Sequence, residues 1–315
     1  MASRIAEFFG ARPKSAESVA NAQAHYCPFV DSACIKNRTR SLGACSLQVG
    51  DADPIIICPN RLYAENFAIL RDIANDVFGG ETRLLSAKDY ERDRRAAALD
   101  GSEIVVFGKY FGKELGIPTP PGLEEGETAG SFYIDFLLVK LDPVSHQPVA
   151  FAAVEVQTID TTNSYADAAA AYRLGLDYHG PLGEDLTNAG LNWENVSKRI
   201  LPQLIYKGHA LRREPLCSKG LFFVVPQAVY QRIKRRVGGR LLEYPKAAGT
   251  ITFLTYSLGP EDGGNERSLL PAETFTTTVE QIAFAFVSPQ NLPAAGVYQT
   301  VIGENLQRLT RARIP

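Results

Sequence analysis

Apolar side chains recur at helical spacing over residues 62–78 (LYAENFAILRDIANDVF) and stop at Gly79–Gly80, which predicts an amphipathic helix closed by a glycine signal. Residues 86–98 are charged and alanine-rich, the pattern of a solvated helix, and Glu103–Phe107 is a short β-type run. Pro118, Pro120, Pro121 and Gly122, followed by Glu124, Glu125 and Glu127, predict a solvated loop. Two stronger strand signals come next. Ser131–Leu141 (SFYIDFLLVKL) and Val149–Gln157 (VAFAAVEVQ) are separated by the turn-rich Asp142–Pro148, so they are expected to be antiparallel neighbours. Helices are predicted over 164–176, with Ser164 as N-cap, and over 194–207, 227–236 and 297–313. Leu221–Val225 and Ile251–Ser257 read as further strands. Strands interleaved with helices predict an α/β (α+β) fold, a mixed central sheet flanked by helices.

Composition fits that picture. The 315 residues, 45% hydrophobic and 22% charged, suit a soluble globular chain of one large domain, or of a main domain with a smaller appendage. No apolar run approaches the ~20 residues of a membrane span. Met1–Gly10 has no long apolar core, so no secretory signal is expected and the cytoplasm is the expected compartment. The net charge of −2 conceals a strong asymmetry: residues 100–197 carry −11 and residues 198–240 carry +10. An acidic block beside a basic block suggests cation binding in one place and anion binding in the other.

Four of the five cysteines, Cys27, Cys34, Cys45 and Cys58, fall within 32 residues, and Cys217 lies far away. Disulfides are not expected in the cytoplasm, so the cluster points to a metal: four thiolates suit tetrahedral zinc, or iron in a sulfur-only site. The spacing is wide and lacks a CxxC knuckle, so four unrelated buried thiols are the plain alternative.

Asp135 stands inside an apolar strand, where an unpaired carboxylate is costly and calls for a cation, a hydrogen-bond network or solvent. On the following strand Glu155 and Gln157 share one face, while Val154 and Val156 take the other. An aspartate on one strand and Glu-x-polar on the next is the arrangement of a metal-dependent phosphodiesterase of the PD-(D/E)xK kind. Asp135 and Glu155 would offer hard oxygen ligands to Mg²⁺, which polarises the phosphate and lowers the pKa of water. Gln157 replaces the usual lysine; it carries no charge but can orient a water molecule or the Glu155 carboxylate. A solvated edge-strand face is the bland alternative.

Several segments together resemble the NotI-type type II restriction endonucleases, a family that includes enzymes of the EagI kind. They are CPF at 27–29, GACS at 43–46, ICPNRLY at 57–63, GKEL at 112–115, FYIDF at 132–136, VEVQTID at 154–160, LDYHG at 176–180 and VVPQAVY at 224–230. The resemblance implies a small N-terminal module over residues 1–80, with one structural iron or zinc ion on Cys27, Cys34, Cys45 and Cys58. It implies a PD-(D/E)xK endonuclease core over residues 81–315, in which Asp135 and Glu155 hold Mg²⁺ and Gln157 is the polar third residue. Glu114, in GKEL, matches an upstream glutamate of the family, although a longer proline-rich insert separates it from Asp135. The resemblance further implies a homodimer that cuts both strands of a GC-rich palindrome in duplex DNA, within a restriction–modification system that includes a cognate DNA methyltransferase.

The basic block then reads as a phosphate-neutralising surface whose binding weakens with salt. Arg213, Arg235 and Arg236 are its candidate DNA contacts, and arginines of such a block can read guanine in the major groove. The plain reading of IKRRVGGR is a solvated helix end. No Gly-rich phosphate loop and no G-x-S-x-G elbow is present, which argues against nucleotide-dependent enzymes and serine hydrolases. A second reading is a non-catalytic, sequence-specific DNA-binding protein with a structural metal site. A third, an iron–tetrathiolate electron carrier, leaves the carboxylates and the basic block without a role.

Overall fold

The computed structural model of the chain describes residues 2–35, 43–93, 100–117, 132–261 and 266–311. The expected loop at 118–127, residues 94–98 of the charged helix, Ser131 and residues 312–313 lie outside them. Ser3–Phe8 (β1), Ala44–Val49 (β2) and Ile55–Ile56 (β3) form a small antiparallel sheet. The central sheet has seven strands: Arg83–Ser86 (β4), Glu103–Gly108 (β5), Phe136–Leu141 (β6), Pro148–Val156 (β7), Leu221–Pro226 (β8), Thr250–Leu258 (β9) and Leu269–Thr278 (β10). Their spatial order is β10-β9-β8-β7-β6-β5-β4. Strands β7, β8 and β9 are parallel, β4 is parallel to β5, and the remaining pairs are antiparallel, so the sheet is mixed as expected.

Both faces are covered. Helix Ala64–Phe78 (α1) lays Phe67, Leu70, Ile73 and Ala74 on Ile104, Val106, Leu138, Val154 and Val224. Helices Leu201–Leu211 (α2), Gln227–Arg236 (α3) and Val279–Val287 (α4) cover the other face, over Phe223, Val225, Ile251 and Phe253. Burial on both faces explains the unbroken apolar run of β8, LFFVVP. Strand alternation then fixes which side each carboxylate takes: Ala152, Val154 and Val156 face α1, whereas Ala153 and Glu155 face α2. Segments of the first 80 residues enter both cores, Ile5 and Phe8 in one and Ile56 and Leu62 in the other.

The antiparallel pairing of the two strong strand signals is observed, with Phe136 opposite Val154. The first of them is not continuous, however. Phe132–Ile134 leaves the central sheet at Asp135 and pairs with Leu115–Ile117. A buried carboxylate needs partners, and at this break Asp135 accepts the Val156 amide. The predicted helix at 62–78 starts with a 3₁₀ turn, Pro59–Tyr63, before α1. The helix expected over 164–176 spans only Ala166–Tyr172. Ser164 Oγ does accept the Ala166 amide, at 3.1 Å, but the chain turns off around Gly175 at φ +71°. The helix expected over 194–207 begins as a π-turn, Val196–Ile200, and runs on through α2. Val297–Arg311 (α5) forms the terminal helix.

Candidate active site

Asp135 and Glu155 meet at the junction of β6 and β7. Asp135 Oδ2 accepts the Val156 amide at 2.8 Å, and the Asp135 amide donates to Glu155 Oε1 at 3.4 Å. Glu155 is buried and Asp135 half-buried. Glu114 is exposed and directly precedes Leu115, which pairs with Ile134, the residue before Asp135. Its charge contributes to raising Asp135. Gln157 follows the end of β7, its amide donating to the Val224 carbonyl at 2.9 Å. Its side-chain amide donates to the Thr158 carbonyl at 3.0 Å rather than to either carboxylate.

A fifth residue enters the site that the motif reading did not anticipate. Lys207, on α2, is 7% exposed, and its Nζ stands 2.6 Å from Glu155 Oε1. It lies on the buried stripe of α2, Leu204, Lys207, Gly208 and Leu211, at spacings of three and four. Gly208 lets the helix come close: a Cβ there would stand 2.8 Å from Val279 Cγ2 and 3.3 Å from Ile251 Cδ1. The signal available in the sequence was that stripe, a lysine on the apolar face of its helix.

Burial and the adjacent Asp135 carboxylate push Glu155 up to about 8, against the pull of Lys207. Burial also raises Asp135, against the Val156 amide and Lys207. Two carboxylates thus share one ammonium in a site shielded from water. A carboxyl raised by folding holds its proton more tightly in the native state. It therefore favours that state below the ordinary value of 4.5, and the advantage is lost as pH rises from there to about 8. Over that window the protein, melted in chelator, should lose thermal stability relative to Glu155→Gln, which cannot ionise. A difference between the two melting temperatures that stays constant with pH would contradict the arrangement.

Cys27, Cys45 and Cys58 are buried in one small cluster with Phe29, and Cys34 packs against it. All five cysteines are among the described residues and none forms a disulfide. The Ile57 and Cys58 amides both donate to the Cys45 carbonyl, at 2.9 and 3.2 Å, which ties two of the cysteine segments together. Gly43 is required at φ +79°, since a Cβ there would lie 2.0 Å from Phe9 Cε2. Burial, then the charges of Cys58, Glu7 and Cys27, push the Cys45 thiol well up. Cys217 is buried elsewhere, donates to the Gly220 carbonyl and is pushed up to about 12 by burial. A tighter set of donor atoms occurs on the surface, where oxygens of Asp177, Glu184 and Asp185 come within 4.8 Å of one another. Lys14 already bridges Asp177 and Asp185 there, at 2.5 Å each.

The basic block divides. Trp193, Lys198, Arg232, Arg235 and Arg236 line a cleft of about 810 Å³. Arg232 lies over the Trp193 ring, and Arg236 donates to the Asn291 carbonyl at 3.2 Å while stacking on Phe286. Arg213 is exposed beyond the end of α2 and is not among the residues lining that cleft. Arg235 and Arg236 are therefore brought together, with part of Arg236 spent on structure.

Residues 121–254 match the family model described as Restriction endonuclease NotI. The matched segment spans β6 to β9 and contains Asp135, Glu155, Gln157 and Lys207; the four clustered cysteines and Glu114 precede it. The match assigns an enzyme class, that of a type II site-specific deoxyribonuclease, a hydrolase. No curated protein matches the chain. Among the described residues no helix is long and apolar enough to cross a membrane.

Proposed function

We propose that this chain is a Mg²⁺-dependent restriction endonuclease of the PD-(D/E)xK kind, hydrolysing phosphodiester bonds in double-stranded DNA at a GC-rich palindrome. The observation that carries the reading is the meeting of Asp135 and Glu155 at the adjoining ends of neighbouring strands β6 and β7, inside the matched segment. Their surroundings fit a divalent cation: burial disfavours the charged form of both carboxylates, the one ammonium beside them does not offset it, and a bound cation would. Asp135 and Glu155 would hold the ion, and Glu114, whose charge reaches Asp135, would add a carboxylate at its exposed side. Bound there, Mg²⁺ supplies Lewis-acid polarisation of the phosphate and a lowered pKa for water. Gln157 orients the attacking water through its amide, after giving up its contact with the Thr158 carbonyl. Arg213 and the cleft bearing Arg235 and Arg236 neutralise phosphates along the duplex.

The four N-terminal thiols are, in the same reading, ligands to one structural iron or zinc ion, in a module over residues 1–80 that serves a nuclease core over residues 81–315. Their donor set suits such an ion, and three of the thiols are buried in one cluster with Cys34 packed against it. A palindrome calls for a two-fold protein, and we assign a homodimer. Helix α5 supports it, with Tyr298, Val301, Ile302 and Leu309 between 46% and 78% exposed along one face. A DNA methyltransferase of the same specificity completes the system. Digestion of a long DNA of known sequence with Mg²⁺, followed by mapping of the ends, tests the proposal. Ends at one recurrent GC-rich site, related by two-fold symmetry, are expected, and sedimentation should give a dimer. Binding of that DNA without any cutting would leave a non-catalytic DNA-binding protein instead.

A further inference from the structure

We propose that Lys207 supplies the positive charge that the third motif position lacks, contacting the scissile phosphate from α2 while Gln157 stands where a lysine would be expected. The proposal rests on the metal-dependent nuclease reading of Asp135 and Glu155. Among the described residues Lys207 is the one buried lysine, and burying an ammonium is costly unless it is paired. A position on the packed stripe of α2 could be filled by an apolar side chain with no such cost, as Leu204 and Leu211 do one turn away on either side. The helix is instead drawn in at Gly208, and the neighbouring side chain ends 2.6 Å from Glu155 Oε1.

The charge count gives the residue two successive partners. Without a divalent ion, Lys207 rests against Glu155, 2.6 Å from its Oε1. When a cation takes Glu155, the ammonium loses that partner, and the nearest anion the reaction brings is the phosphate. In the hydrolysis a water oxygen forms a bond to phosphorus and one P–O ester bond breaks. The proton lost by the water balances the one gained by the leaving oxygen, with solvent as intermediary. Lys207 stays protonated throughout and donates hydrogen bonds to a non-bridging oxygen, where negative charge builds up. It is a catalytic residue in this scheme, acting by charge and not by proton transfer.

This predicts two changes of opposite sign. In Lys207→Met, DNA cleavage at saturating Mg²⁺ should fall by about a hundredfold to a thousandfold. Mg²⁺ binding to the protein without DNA, followed by calorimetric titration, should become several-fold tighter, because the competing cation on Glu155 is gone. A residue that merely supports the fold would weaken both or leave both unchanged. Cleavage within about threefold of the parent, or metal binding that is unchanged or weaker, overturns the proposal. If Lys207→Met does not fold, Lys207→Arg decides: retained charge should keep cleavage within about tenfold of the parent, and a loss as deep as that of Glu155→Gln overturns it. Glu155→Gln also guards the underlying reading. If the parent neither binds Mg²⁺ nor loses activity in Glu155→Gln, the nuclease assignment of the carboxylates fails, independently of Lys207.

Discussion

Glu155→Ala is expected to lower DNA cleavage by about a thousandfold or more while leaving DNA affinity in chelator within about tenfold. Three features of the site require so large an effect. Glu155 is the most enclosed of the candidate carboxylates and the one that contacts both Asp135 and Lys207, at 3.4 and 2.6 Å. Its removal takes away a carboxylate proposed to hold the cation and leaves Lys207 buried without its partner. No neighbouring side chain replaces it, because the alternation of β7 sets Val154 and Val156 on the opposite face. Gln157→Ala should cost less, about tenfold, since its amide is held by the Thr158 carbonyl and must be released before it can orient water. Initial rates on a substrate with one mapped site, beside gel-shift affinities in chelator, separate the two variants. Equal cutting by Glu155→Ala and the parent would remove the carboxylate site as the seat of catalysis.

How much of this site the sequence made visible depends on where each residue's signal lies. Asp135 and Glu155 were legible because a charged residue in an apolar strand is conspicuous, and because period-two alternation assigns faces without knowledge of the fold. Glu114 was legible only by resemblance; its nearness to Asp135 comes from a three-residue ladder formed by segments about twenty residues apart. Lys207 was hidden among eleven basic residues at 198–240, where net charge suggested a solvated phosphate-binding surface. What distinguishes it is burial, a property of how α2 packs rather than of the block's composition. The edge strand β10, LLPAETFTTT, escaped notice for a related reason. It is tied to β9 by hydrogen bonds of threonines in place of apolar contacts, its Thr276 with Thr252 at 3.0 Å and its Glu273 backbone with Thr255 of β9 at 2.7–2.8 Å. Strand β1 carries a buried Glu7 paired with Arg61 at 3.0 Å, which breaks the alternating pattern that would have announced it.

The thiol cluster should prove as necessary to the fold as the carboxylates are to cutting, and Cys45→Ser is the variant to show it. Cys45 sits on β2, and its carbonyl receives both the Ile57 and Cys58 amides. From Cys58 the chain enters the 3₁₀ turn that delivers Tyr63 to Phe136, with ring centroids 5.3 Å apart, next to Asp135. The Ile57 carbonyl accepts Thr158 Oγ1 at 3.3 Å, next to Gln157. A loosened cluster is thus felt on both sides of the candidate active site. Structural zinc contributes roughly 10–16 kcal/mol to the folding of small modules, and whole domains are stable by only about 5–15 kcal/mol. Losing even part of that contribution should unfold the N-terminal segment. Cys45→Ser is expected to lose the iron or zinc proposed for the cluster, to melt well below the parent and to become protease-sensitive in its first 80 residues, with cleavage lost as a consequence. Cys217→Ser, remote from the cluster, should keep its metal. Elemental analysis per chain, with limited proteolysis of the same samples, tests the pair: a full metal complement in Cys45→Ser, or equal loss in Cys217→Ser, would break the link between these four thiols and the ion.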